Sequence, residues 1–302
     1  MNRRDAIKWS SGAAVGLACS PVFSCQGNSE SKRESKSGHH FKFSLAAYSY
    51  RKLLTGEKPQ LSLKNFIDDC ARFGLDGTEL TSYYFPENPD DGLLYSLKSH
   101  SFRKGLDVSG TAIRNDFGHS GEAARKKEIA HTKKWVDYAA KLGAPVIRVF
   151  AGHQKKGVDA KKTHQLMVSG LEECCEYAGK KGIHLALENH GGPTATAAGL
   201  LSFVNDVKSP FFGVNLDTGN FHTEDIYGDL AKLAPHAINV QVKVVISGPD
   251  KKKKPADFNR LARIFAESSY RGYIVLEYEE AGDPRMESEK YLEKLRDAFG
   301  NV

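Results

Sequence analysis

Three carboxylates and one amide lie at the ends of predicted buried strands in the second half of this 302-residue sequence. One apolar run leads into Glu188, and two glycines and a proline shortly afterwards interrupt the strand. Strands of the same type carry Asp217, Gln241 and Glu277, and each is separated from the next by enough residues for one helix. Parallel strands joined by helices present their carboxyl ends at one face, so these four side chains are predicted to converge.

Such a cluster of oxygen atoms could bind one divalent cation. Carboxylate and amide oxygens suit hard ions, which favours Mn²⁺ or Mg²⁺, with Co²⁺ or Zn²⁺ as further candidates. A bound cation would polarise a substrate carbonyl and stabilise the enediolate that forms when the neighbouring carbon loses a proton. The alternative is that strand-end acids cap helices or pair with arginine. Four such residues in order favour a site.

A regular alternation of strands and helices must position these side chains. Eight predicted strands begin near Phe41, Gly77, Asp107, Pro145, Gly182, Phe212, Ile238 and Tyr273. The intervals carry apolar residues at helical spacing. No Gly-x-Gly-x-x-Gly follows the first strand, as an open dinucleotide-binding sheet would require. Residues 41–302 are therefore predicted to form an α/β fold, a single (β/α)8 TIM barrel with its site at the C-terminal ends of the strands.

Four short motifs resemble the metal-binding strand ends of the xylose isomerase-like barrel superfamily. They lie at residues 185–191, 214–220, 240–243 and 275–278. This superfamily includes sugar phosphate isomerases and epimerases, among them ketose 3-epimerases and inosose dehydratase. The resemblance implies a sugar isomerase or epimerase in which the four strand-end side chains bind one divalent ion. It also implies that proton transfers are carried by Glu188 and Glu277.

Two positions depart from the family pattern. Gln241 stands where the family usually has a histidine ligand, and Asn220 stands where a histidine often follows the aspartate. The missing imidazoles favour Mn²⁺ or Mg²⁺ over Zn²⁺. They also count against an apurinic endonuclease with three metal ions. Two other functions stay open: a lyase, dehydratase or hydratase acting on a keto-sugar or inosose, and a non-catalytic carbohydrate-binding barrel.

Six residues are predicted to contact a carbohydrate substrate. His190 lies two residues after Glu188 and should share its side of the strand. Arg148 and Lys243 end apolar strand segments, where they could neutralise an oxyanion, although Arg148 could equally pair with a barrel carboxylate. The other candidates, for which helix capping, solvation or packing are the alternatives, are Asn220, Glu79 and His222.

Charge gives little indication of a polyanionic partner. The formal net charge is +6, and half of it comes from residues 1–40, so no nucleic-acid binding is predicted. The lysine run at residues 251–254 is interpreted as a solvated loop. The alternative is an electrostatic lid over an anionic sugar.

The first residues resemble an export signal of the twin-arginine type. In residues 1–25, a pair of arginines precedes an apolar segment that is too short to span a bilayer. Cys19 and Cys25 are candidate sites for a lipid anchor. Residues 26–40 are rich in Ser, Lys, Glu and Gly and predict a flexible tether. An exported protein is therefore expected, either periplasmic or held at a membrane by lipidation, and its oligomeric state is left open.

Overall fold

The computed structural model describes residues 40–268 and 270–302. Its strands are β1 (Lys42–Ala46), β2 (Gly77–Thr81), β3 (Asp107–Ala112), β4 (Val146–Val149), β5 (His184–Glu188), β6 (Phe212–Asp217), β7 (Ala237–Val242), β8 (Val245–Ser247), β9 (Lys253–Pro255) and β10 (Tyr273–Leu276). All except β8 and β9 join one closed parallel barrel, in which β1 pairs with both β2 and β10. The predicted TIM barrel is confirmed. The predicted export signal, its two cysteines and residues 26–39 of the tether lie outside the described residues.

Helices alternate with the barrel strands. They are α1 (Arg51–Leu54), α2 (Leu63–Arg72), α3 (Asp91–Arg103), α4 (Glu122–Leu142), α5 (Ala160–Gly179), α6 (Ala197–Asp206), α7 (Ile226–Leu233), α8 (Phe258–Glu267) and α9 (Pro284–Phe299). Every one of these except α1 and α4 begins after an Asp, Ser or Thr whose side chain accepts a hydrogen bond from the first helical turn. Across the described residues, no helix combines the length and apolar character needed to cross a bilayer.

The two sides of each barrel strand have different chemistry. Alternate residues such as Leu216 and Val242 are fully buried, belong to the hydrophobic core and point away from the barrel axis. Their neighbours Asn215, Asp217 and Gln241 are equally buried but point into the barrel. The barrel interior is therefore polar near the C-terminal ends of its strands, directly below the place where the site is predicted.

A small hairpin follows β7 at the edge of the barrel mouth. Strands β8 and β9 pair antiparallel, with Ser247 opposite Lys253. Residues 251–254 are exposed, as a solvated segment should be, but part of the run lies in β9 and not in a loop. Lys253 Nζ lies 2.7 Å from a carboxylate oxygen of Glu280. The hairpin therefore adds a structured rim that the sequence did not predict.

Candidate active site

The C-terminal ends of the barrel strands surround a cavity of about 650 Å³, a usual size for a small-molecule site. Six of the predicted residues line this cavity: Arg148, Glu188, His190, Asn220, Lys243 and Glu277. Three are buried below it: Glu79, Asp217 and Gln241. His222 borders a smaller adjoining cavity under the hairpin, where its Nδ1 donates a hydrogen bond to the carbonyl oxygen of Ser247.

Strand register explains why Lys243 reaches the cavity and Gln241 does not. Gln241 is level with Val275 on β10 and with Asp217 on β6. Glu277 follows Val275 by two residues, just as Lys243 follows Gln241, so Glu277 and Lys243 share the next level. Residues two apart on a strand point to the same side about 6–7 Å apart. Gln241 therefore lies one layer deeper than Glu277, with which it is predicted to share a metal ion.

Gln241 belongs to a closed ring of hydrogen bonds inside the barrel. Its Nε2 donates to Glu79 Oε1 at 2.9 Å, and its Oε1 accepts from Asn215 Nδ2 at 2.7 Å. Asn239 Nδ2 completes the ring by donating to Asn215 Oδ1 at 2.8 Å and to Glu79 Oε2 at 3.3 Å. All four residues are at most 3% exposed. Both the oxygen and the nitrogen of the Gln241 amide are thus hydrogen-bonded inside the barrel.

The predicted substrate contact of Glu79 does not agree with the structure. Strand β2 continues for two residues beyond Glu79, so this carboxyl group lies in the deeper layer with Gln241. Its burial, together with the nearby charge of Glu277 and against that of Arg148, raises the pKa of Glu79 to about 7. Glu79 acts as an acceptor in the polar ring below the cavity.

The ring makes a prediction about stability. Asn215→Ala would leave Gln241 Oε1 and one proton of the Asn239 amide without partners in a site that is closed to solvent. We expect the free energy of unfolding to fall by about 2–3 kcal/mol in urea titrations. Asn205→Ala, at an exposed position in α6, is the matched control and should change it by less than about 0.5 kcal/mol. Equal values for the two variants would mean that Gln241 is not held by the ring.

Lys243 occupies the space between three carboxylates at the cavity floor. Its Nζ lies 2.5 Å from Glu277 Oε2, 2.9 Å from Glu279 Oε2 and 3.4 Å from Asp217 Oδ2. Burial alone would lower the pKa of Lys243, because it disfavours the charged form. The three carboxylates outweigh this effect and raise the pKa of Lys243 well above its ordinary value. The side chain is therefore an ammonium ion at neutral pH.

Glu279 is a site residue that the sequence analysis missed. It lines the cavity together with Glu277. The intervening Tyr278 turns the other way, with its hydroxyl group on the carbonyl oxygen of Ala281. The alternation Glu-Tyr-Glu after β10 contained the signal, because residues two apart in extended chain share a side.

Arg148 and Asn220 hold the carboxylate of Glu188. Arg148 Nε lies 2.9 Å from Glu188 Oε2, and Asn220 Nδ2 donates to Glu188 Oε1 at 2.9 Å. Arg148 is fixed in turn, because its Nη1 donates to the carbonyl oxygen of Ile113 at 2.8 Å and both of its terminal nitrogens donate to Tyr83 Oη at 3.3 Å. Burial raises the pKa of Glu188 well above its usual value, against the opposing charge of Arg148. Such a carboxyl group holds a proton more readily than an exposed one does, which suits it to acid–base exchange.

Asp217 and His190 complete the polar surroundings of the cavity. Asp217 Oδ1 accepts from the backbone nitrogen of Gly219 at 2.8 Å, whereas Oδ2 is buried without a hydrogen bond. Burial raises the pKa of Asp217 to about 7, with Lys243 opposing and Glu277 adding to the shift. The ring of His190 packs on Phe150 with centroids 4.4 Å apart. Partial burial and the charges of Arg148 and Lys243 lower its pKa, so the imidazole is neutral at pH 7.

A scan of the sequence against models of protein families decides the relationship of this barrel to known proteins. The family described as xylose isomerase-like TIM barrel matches residues 67–298. The chain belongs to this family. Among curated protein sequences, none is significantly similar to it.

Solved structures show the same fold at low sequence identity. D-psicose 3-epimerase in the presence of D-fructose superposes with a TM-score of 0.71 at 19% identity, over 86% of this chain and 100% of that chain. The probable 3-DHS dehydratase AsbF from Bacillus anthracis gives 0.67 at 18%, over 84% and 99%. The 3-keto-D-glucoside 4-epimerase YcjR from E. coli gives 0.66 at 16%, over 85% and 100%.

The side chains of this xylose isomerase-like barrel do not form the predicted site for Mn²⁺ or Mg²⁺. Of the predicted ligands, Gln241 accepts a hydrogen bond with its oxygen in the ring below the cavity. The ammonium group of Lys243 lies between two others, Asp217 and Glu277. No three His, Cys, Asp or Glu side chains within residues 40–268 and 270–302 are placed to hold a metal ion. The amide of Asn220, at the other departure from the family pattern, is directed to Glu188. The donor types suit hard divalent ions, but their arrangement around Lys243 leaves no coordination site for Mn²⁺, Mg²⁺, Co²⁺ or Zn²⁺ among the described residues.

Proposed function

We propose that the protein is an isomerase or epimerase that removes a proton from the carbon next to the carbonyl group of a sugar or keto-sugar. The observation that carries the proposal is the pairing of two carboxyl groups with two fixed cations around one cavity: Glu188, Glu277, Arg148 and Lys243. Enolisation needs both kinds of group, because the carboxylates act as bases that take the proton and the cations stabilise the oxyanion.

The reaction follows from the roles of these groups. One carboxylate takes the proton, and the electrons of the C–H bond move through the adjacent bond onto the carbonyl oxygen. The resulting enediolate is stabilised by hydrogen bonds from Arg148 and Lys243. The second carboxyl group, on the other side of the carbon, returns a proton to the opposite face and gives the epimer. Return to the neighbouring carbon, with transfer of the hydroxyl proton from one oxygen of the enediolate to the other, gives the isomer, and no electrons are gained or lost.

The walls of the cavity suit a neutral carbohydrate. Five carboxylates line the cavity against three Arg and Lys side chains, so its field disfavours a phosphorylated or acidic sugar. Tyr48 and Tyr83 form one wall with ring centroids 6.1 Å apart, and aromatic rings offer the apolar surface on which sugar C–H groups pack. A neutral substrate also fits the proposed export of the protein.

Dehydration of the same enolate is the competing reaction, because a hydroxyl group one carbon further along can leave. That step needs an acid to protonate the leaving oxygen. His190 and His153 both line the cavity, and the lowered pKa of His190 makes its imidazole a weak source of protons at pH 7. The acid for dehydration would then be a carboxyl group such as Glu188, which epimerisation uses for its own proton transfers.

Incubation in deuterated buffer tests the proposal. We expect solvent deuterium to appear by NMR at one carbon of a neutral sugar, a 3-keto-sugar or an inosose, together with its epimer or isomer. Phosphorylated sugars serve as the comparison and should react more slowly. Deuterium incorporation with loss of water would assign a lyase instead. Absence of exchange with every member of the panel would leave a carbohydrate-binding barrel as the remaining function.

A further inference from the structure

We propose that the ammonium group of Lys243 is the resident cation of this site and takes the place that a divalent ion would fill. The inference deepens the function proposed above and rests on it for the role in turnover. It makes Lys243 the catalytic residue that contacts the substrate oxygen. The binding of cations by the site can be tested on its own, without any substrate.

The first line of support is the position of the ammonium group. It contacts oxygen atoms of Asp217, Glu277 and Glu279 at 2.5–3.4 Å, and its side chain is only 10% exposed. The ammonium compensates the charge of two buried carboxylates, Asp217 and Glu277, which would otherwise lack a cation. The cluster is therefore built around a positive charge that the chain itself supplies.

The stem of Lys243 is fixed in a way that directs the ammonium group inward. Its backbone nitrogen donates to Thr218 Oγ1 at 3.0 Å. Its side chain packs closely on Gly219, where an added Cβ would lie 2.6 Å from Lys243 Cγ. The turn after β6 thus leaves room for the lysine stem because residue 219 has no side chain. A lysine that turned out to solvent would not need the space beside Gly219.

The second line of support is that the remaining donors are used elsewhere. Gln241 is held in the polar ring, and Glu188 is bound by Arg148 and Asn220. A divalent ion seated on Asp217 and Glu277 would lie beside the ammonium group that contacts the same two oxygen atoms, and the two cations would repel each other. The site accommodates one of them, and the sequence provides the lysine.

In the proposed reaction, Lys243 donates a hydrogen bond to the carbonyl oxygen of the substrate while a carboxylate takes the proton from carbon. The negative charge that develops on oxygen is met by the ammonium group, which keeps its own protons throughout. The proton returns to carbon from a carboxyl group, so the lysine is unchanged at the end of the cycle. No external cation enters this sequence.

The wild-type chain gives the first test. The whole protein is purified from cells grown with added Mn²⁺, and bound metal is measured by mass spectrometry and by manganese EPR. We expect substoichiometric metal, a melting temperature that Mn²⁺ and Mg²⁺ leave unchanged, and exchange of substrate deuterium that survives dialysis against EDTA. One tightly bound ion per chain, with EDTA lowering the melting temperature, would overturn the inference.

Lys243→Met gives the second test, because methionine keeps much of the stem and removes the charge. The three carboxylates then lack a cation, and we expect the variant to gain a Mn²⁺ site seen by EPR. Saturating Mn²⁺ should raise its melting temperature by about 5 °C. Lys180→Met, which removes an exposed lysine paired with Glu176, is the control and should gain no site. A folded Lys243→Met protein that binds no Mn²⁺ would contradict a cation-shaped cluster. If the variant does not fold, the wild-type metal measurements decide.

The metal measurements separate this inference from the proposed function. A wild-type protein with bound Mn²⁺ that still epimerises a sugar would overturn the role of Lys243 and leave the function in place. A metal-free protein that exchanges no substrate proton would remove the proposed function, while the lysine would remain the resident cation. The two ideas therefore fail in different experiments.

Discussion

Replacing Glu188 with Gln is expected to lower turnover by about 10³-fold, the size of contribution that a positioned general base makes. The carboxyl group of Glu188 lines the cavity, is 4% exposed and has a pKa that burial raises well above its usual value. The amide of Gln has almost the same shape but does not take a proton. Its oxygen can accept from Arg148 Nε, which would otherwise be a buried cation without an acceptor, so the variant should fold. The rate of epimer formation, followed by NMR, measures the effect.

The matched control for this change is Glu176→Gln, on the exposed surface of α5 where the carboxylate pairs with Lys180. It makes the same exchange of carboxylate for amide outside the cavity and should leave turnover within about twofold. Circular dichroism and melting temperature report whether each variant is folded. Activity of a folded Glu188→Gln protein at the wild-type level would show that another group removes the proton.

The strand ends of this barrel were readable from sequence because their signal is local. An apolar run that leads into Glu188 and is followed by a glycine-rich break predicts a buried strand with a carboxylate at its mouth. The structure places that carboxylate on the cavity, and Glu277 with it. Alternation also assigns Gln241 and Lys243 to one side of β7. Each of these expectations depends on a few neighbouring residues.

The level of each side chain in the barrel was not readable, because it depends on the stagger between strands. Alternation cannot tell whether Gln241 or Lys243 faces Glu277; the pairing of Gln241 with Val275 decides it. Alignment with the family motif places the amide of Gln241 at a metal-ligand position. In the structure this amide instead donates a hydrogen bond to Glu79 inside the barrel. The stagger comes from closure of the whole barrel. Contacts between strands that are far apart in the sequence therefore decide which side chain of β7 faces Glu277.

The arrangement of charge explains how so many carboxylates can share one cavity floor. Arg148 neutralises Glu188 on one side, and Lys243 bridges Glu277 and Glu279 on the other. Burial still raises the pKa of Asp217 to about 7, although Lys243 lies 3.4 Å from its Oδ2, so this carboxyl group can also hold a proton. Two carboxyl groups thus line one cavity, each beside its own cation, and the proposed transfer of protons at opposite faces of one carbon requires two such groups.

Replacing Glu277 with Gln is expected to separate two activities that the wild-type protein performs together. Formation of the epimer should fall by about 10³-fold, because the second face of the carbon loses its proton donor. Exchange of the substrate proton with deuterated solvent should stay within about tenfold of the wild-type rate, because Glu188 still removes and returns the proton on the first face. Both rates are read from the same NMR samples.

The direction of the reaction makes this prediction specific. Starting from one epimer, Glu277→Gln should retain exchange and Glu188→Gln should lose it; starting from the other epimer, the two variants should change places. Glu280→Gln, whose carboxylate contacts Lys253 on the hairpin, is the control and should behave like the wild type with both substrates. If both variants lost exchange with both epimers, one carboxylate would be the base for both faces and the other would only hold Lys243. The mirror pattern is expected because each carboxyl group lines the cavity beside its own cation, Glu188 beside Arg148 and Glu277 beside Lys243.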